Sequence, residues 1–80
     1  MNDQEILQHI QELVNEEHHL LKLEEDGKIQ GDQRQRVKDL EVGLDQCWDL
    51  LRQRRARRNA GQNPDDAQPR DASIVENYKQ

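Results

Sequence analysis

Val37-Lys38-Asp39-Leu40-Glu41-Val42-Gly43-Leu44-Asp45-Gln46-Cys47-Trp48-Asp49-Leu50-Leu51 is the stretch on which the architecture turns. Within it Val37, Leu40, Leu44, Cys47 and Leu51 recur at intervals of three and four, with Trp48 alongside. At about 3.6 residues per turn, such intervals bring side chains onto one side of a helix. A second stripe precedes it: Ile6, Ile10, Leu13 and Leu20, widened by Leu7, Val14 and Leu21. Between the stripes lies the short segment Gly27-Lys28-Ile29-Gln30-Gly31. Two amphipathic helices joined by so short a turn fold back on each other, so the chain reads as all-α, a coiled-coil-like antiparallel hairpin.

Capping residues set the expected ends. Asn2 can accept from the amide three residues on while Glu5 reaches back, which starts the first helix near residue 3 and carries it to about residue 26. Gly27 ends it, Asp32 caps the second helix with Gln35 in the reciprocal position, and that helix runs from about residue 32 to 60. Gly61 and Pro64 then close the hairpin unit of residues 1–60. Residues 61–80 read first as an extended linker carrying both prolines, followed by a tail. In that tail Ser73-Ile74-Val75-Glu76 repeats a capping pattern, and Ile74, Val75 and Tyr78 can share one face of a short helix docked on the bundle; the alternative is a frayed terminus.

Composition bounds the class. Eighty residues, 31% hydrophobic and 36% charged, make one domain at most, with little apolar surface to bury alone. The wide stripe of the first helix reaches past the hairpin seam through Leu7, Val14 and Leu21, so a homodimer forming a four-helix bundle is expected. No apolar run approaches the ~20 residues that span a bilayer, and no basic-then-apolar leader opens the chain, which points to a cytoplasmic protein without membrane contact. The lone Cys47 lies on the inward stripe and reads as a small buried hydrophobe.

Charge is concentrated at one place. Arg52, Arg54, Arg55, Arg57 and Arg58 fall within seven residues that hold no acid, in a chain of net charge −5. Five guanidinium groups can grip phosphates. Yet the acidic chain repels polyanions, and no aromatic residues interleave to stack bases. Antiparallel folding instead brings the cluster beside Asp3, Glu5 and Glu12, and cations suit a helix C-terminus. Structural pairing is therefore the first reading, an acidic surface on an unknown protein partner the second, and nucleic acid or another anion the third.

Three further groups of residues could carry chemistry. Glu16-x-x-His19 has the spacing of carboxylate-bridged di-iron bundles, but the helical phase sends the two side chains to opposite flanks, so a metal site in the bundle is the weaker alternative. Glu17 falls near the centre of the apolar stripe, where an unpaired carboxylate is costly, and reads as a polar core residue that fixes register. Glu24, Glu25, Asp26 and Asp32 make the hairpin tip acidic. No glycine-rich phosphate loop, cysteine-based zinc set or nucleophile–base pair is written in the chain, so no catalytic residue, metal ligand or cofactor is expected.

The segment from Leu40 to Arg58, with Leu44-Asp45-Gln46-Cys47-Trp48-Asp49-Leu50-Leu51-Arg52 at its centre, resembles the short actinobacterial proteins of the domain of unknown function 2630 family. Ile6-Leu7 to Leu13-Val14, Glu16-Glu17-His18 and the ending Val75-Glu76-x-Tyr78-x-Gln80 match as well, so the resemblance covers nearly the whole chain. It implies a small helical bacterial protein without an assigned activity, and it carries over no functional residue. The expected role is that of a non-enzymatic interaction or scaffold module, with anion or nucleic-acid binding at the arginine cluster as the alternative.

Overall fold

Asn2 opens the structure in an extended conformation. Its side chain accepts from the Glu5 amide at 2.8 Å while Glu5 Oε1 accepts from the Asn2 amide at 3.2 Å. This reciprocal cap starts helix α1, Asp3–Glu25, and two acids in its first turn suit the positive end of the helix dipole. The computed structural model describes residues 2–70, and the expected turn at Ile74, Val75 and Tyr78 lies outside them. Helix α2, Gly31–Asn59, returns antiparallel to α1, and a 3-10 turn at Pro64–Asp66 follows.

Both helices end in the same way. Gly27 at φ 71° and Gly61 at φ 72° adopt the left-handed conformation that a Cβ disfavours. At the first end Lys28 N–H donates to Leu23 O at 2.8 Å and Gly27 N–H to Glu24 O at 3.0 Å. At the second, Gln62 N–H donates to Arg57 O at 2.7 Å and Gly61 N–H to Arg58 O at 3.1 Å. Each pair satisfies carbonyls that the helix itself leaves open. The start of α2 differs from expectation: Gln30, not Asp32, is the capping position, with its amide bonded to Gln33 Oε1 at 2.8 Å. Ile29 packs against Leu20, Val37 and Leu40, and this apolar anchor brings the chain into helical phase before Asp32 is reached.

The seam between the helices holds two apolar clusters. Ile6, Ile10, Leu50 and Ala67 form one, flanked by half-buried Val14, Leu44, Cys47 and Leu51. Leu20, Val37 and Leu40 form the other, flanked by Leu13, Leu23 and Ile29. Full burial of an aliphatic side chain contributes about 1.5–3 kcal/mol, so Ile6 and Leu40, the most completely enclosed, anchor the hairpin.

Two expected core residues are not in the core. Trp48 and Leu21 keep 44% and 42% of their surface exposed, whereas Leu50 and Asp49, absent from the expected stripe, are buried. For Leu50 and Asp49 the cause is the segment after α2. It does not run outward as a linker. Asn63 caps the 3-10 turn by accepting from Asp65 N–H at 3.0 Å, Ala67 enters the first cluster, and the chain lies back along α2. Gln53 Nε2 donates to Gln68 O at 2.9 Å and Gln46 Nε2 to Arg70 O at 3.3 Å. Residues 64–70 thus cover the Leu50 side of the hairpin, and among the described residues nothing comparable lies over the side bearing Leu7, Leu21 and Trp48. The rod measures 50 × 25 × 18 Å. Among the described residues no helix is long and apolar enough to cross a membrane.

Candidate interaction surface at the arginine end

The five arginines near the end of α2 divide by helical phase. Arg54 points into the seam and is only 6% exposed. Its Nε donates to Asp3 Oδ1 at 2.5 Å, and its Nη1 donates to Pro64 O at 3.1 Å and Asp65 Oδ1 at 3.0 Å. One guanidinium therefore ties together the start of α1, the end of α2 and the 3-10 turn. Several charge-assisted hydrogen bonds are what a buried cation requires. Arg58 Nη2 reaches the other oxygen of Asp3 at 2.8 Å. Hydrogen bonds from Arg54 and then Arg58 hold the Asp3 carboxyl below the usual carboxylate range, and Asp3 and Asp65 in turn raise Arg54. Of the three acids expected beside the cluster only Asp3 pairs with it. Glu5 is committed to the Asn2 amide, and Glu12 lies 3.8 Å from His9 Nδ1.

Arg52, Arg55 and Arg57 have a different setting. None of the three enters an ion pair among the described residues. Arg52 and Arg55 are exposed, and with Arg58 and Asp3 they rim a groove of about 360 Å³ floored by Leu7, Trp48 and Leu51. The apolar floor and cationic rim follow from two periodicities. Leu7, Val14 and Leu21 recur every seven residues on α1, as do Arg34, Glu41, Trp48 and Arg55 on α2. A heptad interval keeps residues close to one helical line. At the far end of the same face Glu24 meets Arg34, Val37, Lys38 and Glu41 around a second depression.

On the covered face, Asp49 is fully enclosed. Arg70 donates from Nε to Asp49 Oδ2 at 2.8 Å and from Nη2 to Oδ1, and Gln53 Nε2 donates to Oδ2 at 3.0 Å. The bond from Arg70 lowers the Asp49 pKa, opposed by burial and assisted by Gln53. A groove beside this pair is lined by Ile6, His9, Gly43, Gln46, Cys47, Leu50 and Pro69. Burial pushes the Cys47 thiol up, away from the thiolate form that reacts.

The carboxylate joined across the hairpin is Glu16 rather than Glu17. Arg36 Nε and Nη2 donate to Glu16 Oε2 and Oε1 at 2.5 and 3.0 Å, which holds the Glu16 carboxyl below its usual range. Glu17 is half-buried beside it, not a core residue. On the flank Glu16 can lay both oxygens against a planar guanidinium, a geometry the packed seam does not admit. The same bonds commit both Glu16 oxygens that would have served a Glu16–His19 metal pair. Among the described residues no group of three or more His, Cys, Asp or Glu side chains is arranged to hold a metal ion.

Periodicity alone did not reveal the Asp49–Arg70 pair or the burial of Leu50. The available signal was an acid set inside an otherwise apolar run, followed by Asn63-Pro64, a residue pair suited to a capped turn.

Comparison with known proteins places the chain in a family without naming an activity. Uncharacterised proteins of Mycobacterium bovis and of two strains of Mycobacterium tuberculosis are each 47% identical to this chain over 77 residues, 95% of this chain and 88% of each relative. No solved structure matches the chain. The profile of the family described as protein of unknown function DUF2630 matches residues 2–80, so the chain belongs to the DUF2630 family.

Proposed function

We propose that the protein is a non-enzymatic protein-interaction module that works as a homodimer, two hairpins packed open face to open face as a four-helix bundle. The supporting observation is the asymmetry of the hairpin. Residues 64–70 cover one face, while Leu7, Leu21 and Trp48 remain 49%, 42% and 44% exposed on the other. Exposed large apolar side chains rimmed by charge mark an association surface. The single cysteine, which has no disulfide partner in the chain, suits the reducing cytoplasm.

Sedimentation equilibrium at micromolar concentration tests this reading. The wild-type chain is expected to sediment as a dimer, and Leu7→Gln/Leu21→Gln as a helical monomer. A wild-type monomer overturns it. A second reading rests on Arg52, Arg55 and Arg57, which enter no ion pair among the described residues: binding of an anion or nucleic acid there. It requires affinity for a duplex oligonucleotide that falls steeply as salt rises.

A further inference from the structure

We infer that residues 71–80 of this chain dock on the side of α2 turned away from α1, around Val42 and Asp45. Ile74, Val75 and Tyr78 are the side chains that cover it. This surface is separate from the one bearing Leu7, Leu21 and Trp48, so the docking holds whether or not the homodimer forms.

Val42, Gly43, Leu44, Asp45, Gln46 and Cys47 are six consecutive helical residues, and every one of them is half-buried. Successive residues turn by about 100°, so together they point all the way round the helix. Cover from one side does not produce this. α1 meets the side of Leu40, Leu44, Cys47 and Leu51, and Pro69 closes the groove over Gly43, Gln46 and Cys47. Val42 stands two residues from Leu44, about 200° of turn, and so faces nearly the opposite way. Asp45, about 100° from Leu44 on the side away from the groove, lies on the far flank as well. Lys38 and Ala56, further along that side in either direction, are exposed, so the cover is local.

The chain is delivered to this place. Asp65 is held at Arg54, Gln68 at Gln53, and Arg70 at both Asp49 and Gln46, so residues 64–70 descend α2 towards the hairpin tip. One further turn, about 6 Å, separates Gln46 and Asp49 from Val42 and Asp45. About two extended residues cross that distance, so residues 71–80 reach it with length to spare. Ile74, Val75 and Tyr78 carry the large apolar side chains of that stretch, and packing Val42 against them removes apolar surface from water. Tethered at Arg70, the stretch has an effective concentration of about millimolar order at this surface, well above that of a second copy at micromolar concentration.

Thiol labelling in the full-length Cys47→Ser chain tests the docking. Val42→Cys is expected to react about tenfold more slowly than the exposed control Lys38→Cys. Adding Ile74→Asp/Val75→Asp is expected to remove that difference with helical circular dichroism unchanged. Equal rates for Val42→Cys with and without the two aspartates overturn the proposal. A second readout needs no substitution. In the isotope-labelled wild-type chain, nuclear Overhauser contacts are expected between the Val42 methyl groups and side chains of residues 74–78, and their absence overturns it. In a mixed sample, contacts from labelled Val42 to an unlabelled chain assign the cover to a second copy and overturn it as well.

Discussion

Arg70 donates from its Nε to Oδ2 of Asp49 at 2.8 Å, across twenty-one residues, and so fastens the chain beyond α2 to a carboxylate that no solvent reaches. Removing the cation leaves that carboxylate enclosed with Gln53 as its remaining donor among the bonds described above. Arg70→Ala is therefore expected to destabilise the fold by about 3 kcal/mol. Asp49→Asn, which leaves no buried charge behind, is expected to cost about half as much, within the range for a charge-assisted hydrogen bond. Urea denaturation of both variants measures the difference, and equal losses would contradict it.

Acid should unfold the protein through the same kind of contact. The carboxyls of Asp3, Glu16 and Asp49 are all held below their ordinary range, each chiefly by hydrogen bonds from an arginine. A group whose folded pKa lies below its unfolded value binds protons more readily when unfolded, so it stabilises the fold above the unfolded value, about 4 for a carboxylate. That stabilisation is lost as pH falls from about 5 through the depressed folded values. Unfolding free energy measured from pH 7 to pH 3 should decline over that window, and Asp49→Asn should flatten the decline.

Gly43 sits in the interior of α2 with no demand for its conformational freedom. A Cβ there would meet Leu13 Cδ1 at 3.5 Å, ordinary van der Waals contact. Gly43→Ala is expected to stabilise the protein by about 1 kcal/mol, the helix-propensity difference between the two residues. A lowered melting temperature would show that the Leu13 side of the seam has no room to accommodate the methyl group.

Gly61 is the opposite case. It has open space around it but a φ of 72°, so the penalty for a side chain is conformational rather than steric crowding by neighbours. Gly61→Ala should destabilise by about 1–2 kcal/mol. Because this turn launches residues 62–70 back along α2, the variant should also speed hydrogen exchange at Ala67, whose amide donates to Pro64 O at 3.1 Å.

How much was legible differs between the seam and its two faces. Ile6, Ile10, Leu20, Val37 and Leu40 are buried as their spacing indicates, because a helix of fixed pitch converts interval directly into direction. The Asn2–Glu5 cap and the glycine stops were readable for the same local reason. Which flank of each stripe would be covered was not readable. Leu50 and Trp48 lie on opposite flanks of the inward line, and residues 64–70, arriving from outside the helix, decided between them. The choice of Glu16 over Glu17 likewise rested on where Arg36 stood on the facing helix, which no interval within α1 contains.

The chain's own pattern thus determined two helices, the start of the first, both glycine stops and the central residues of the seam, since all of these follow from backbone geometry within a few turns. The folded structure alone decided that Arg54 is an internal tie while Arg52 and Arg55 enter no ion pair among the described residues, and that residues 64–70 cover one face while Leu7, Leu21 and Trp48 are exposed on the other. Those outcomes depend on contacts between segments 10 to 51 residues apart, such as Arg54 with Pro64, Asp49 with Arg70 and Asp3 with Arg54. Local spacing carries no record of such distances.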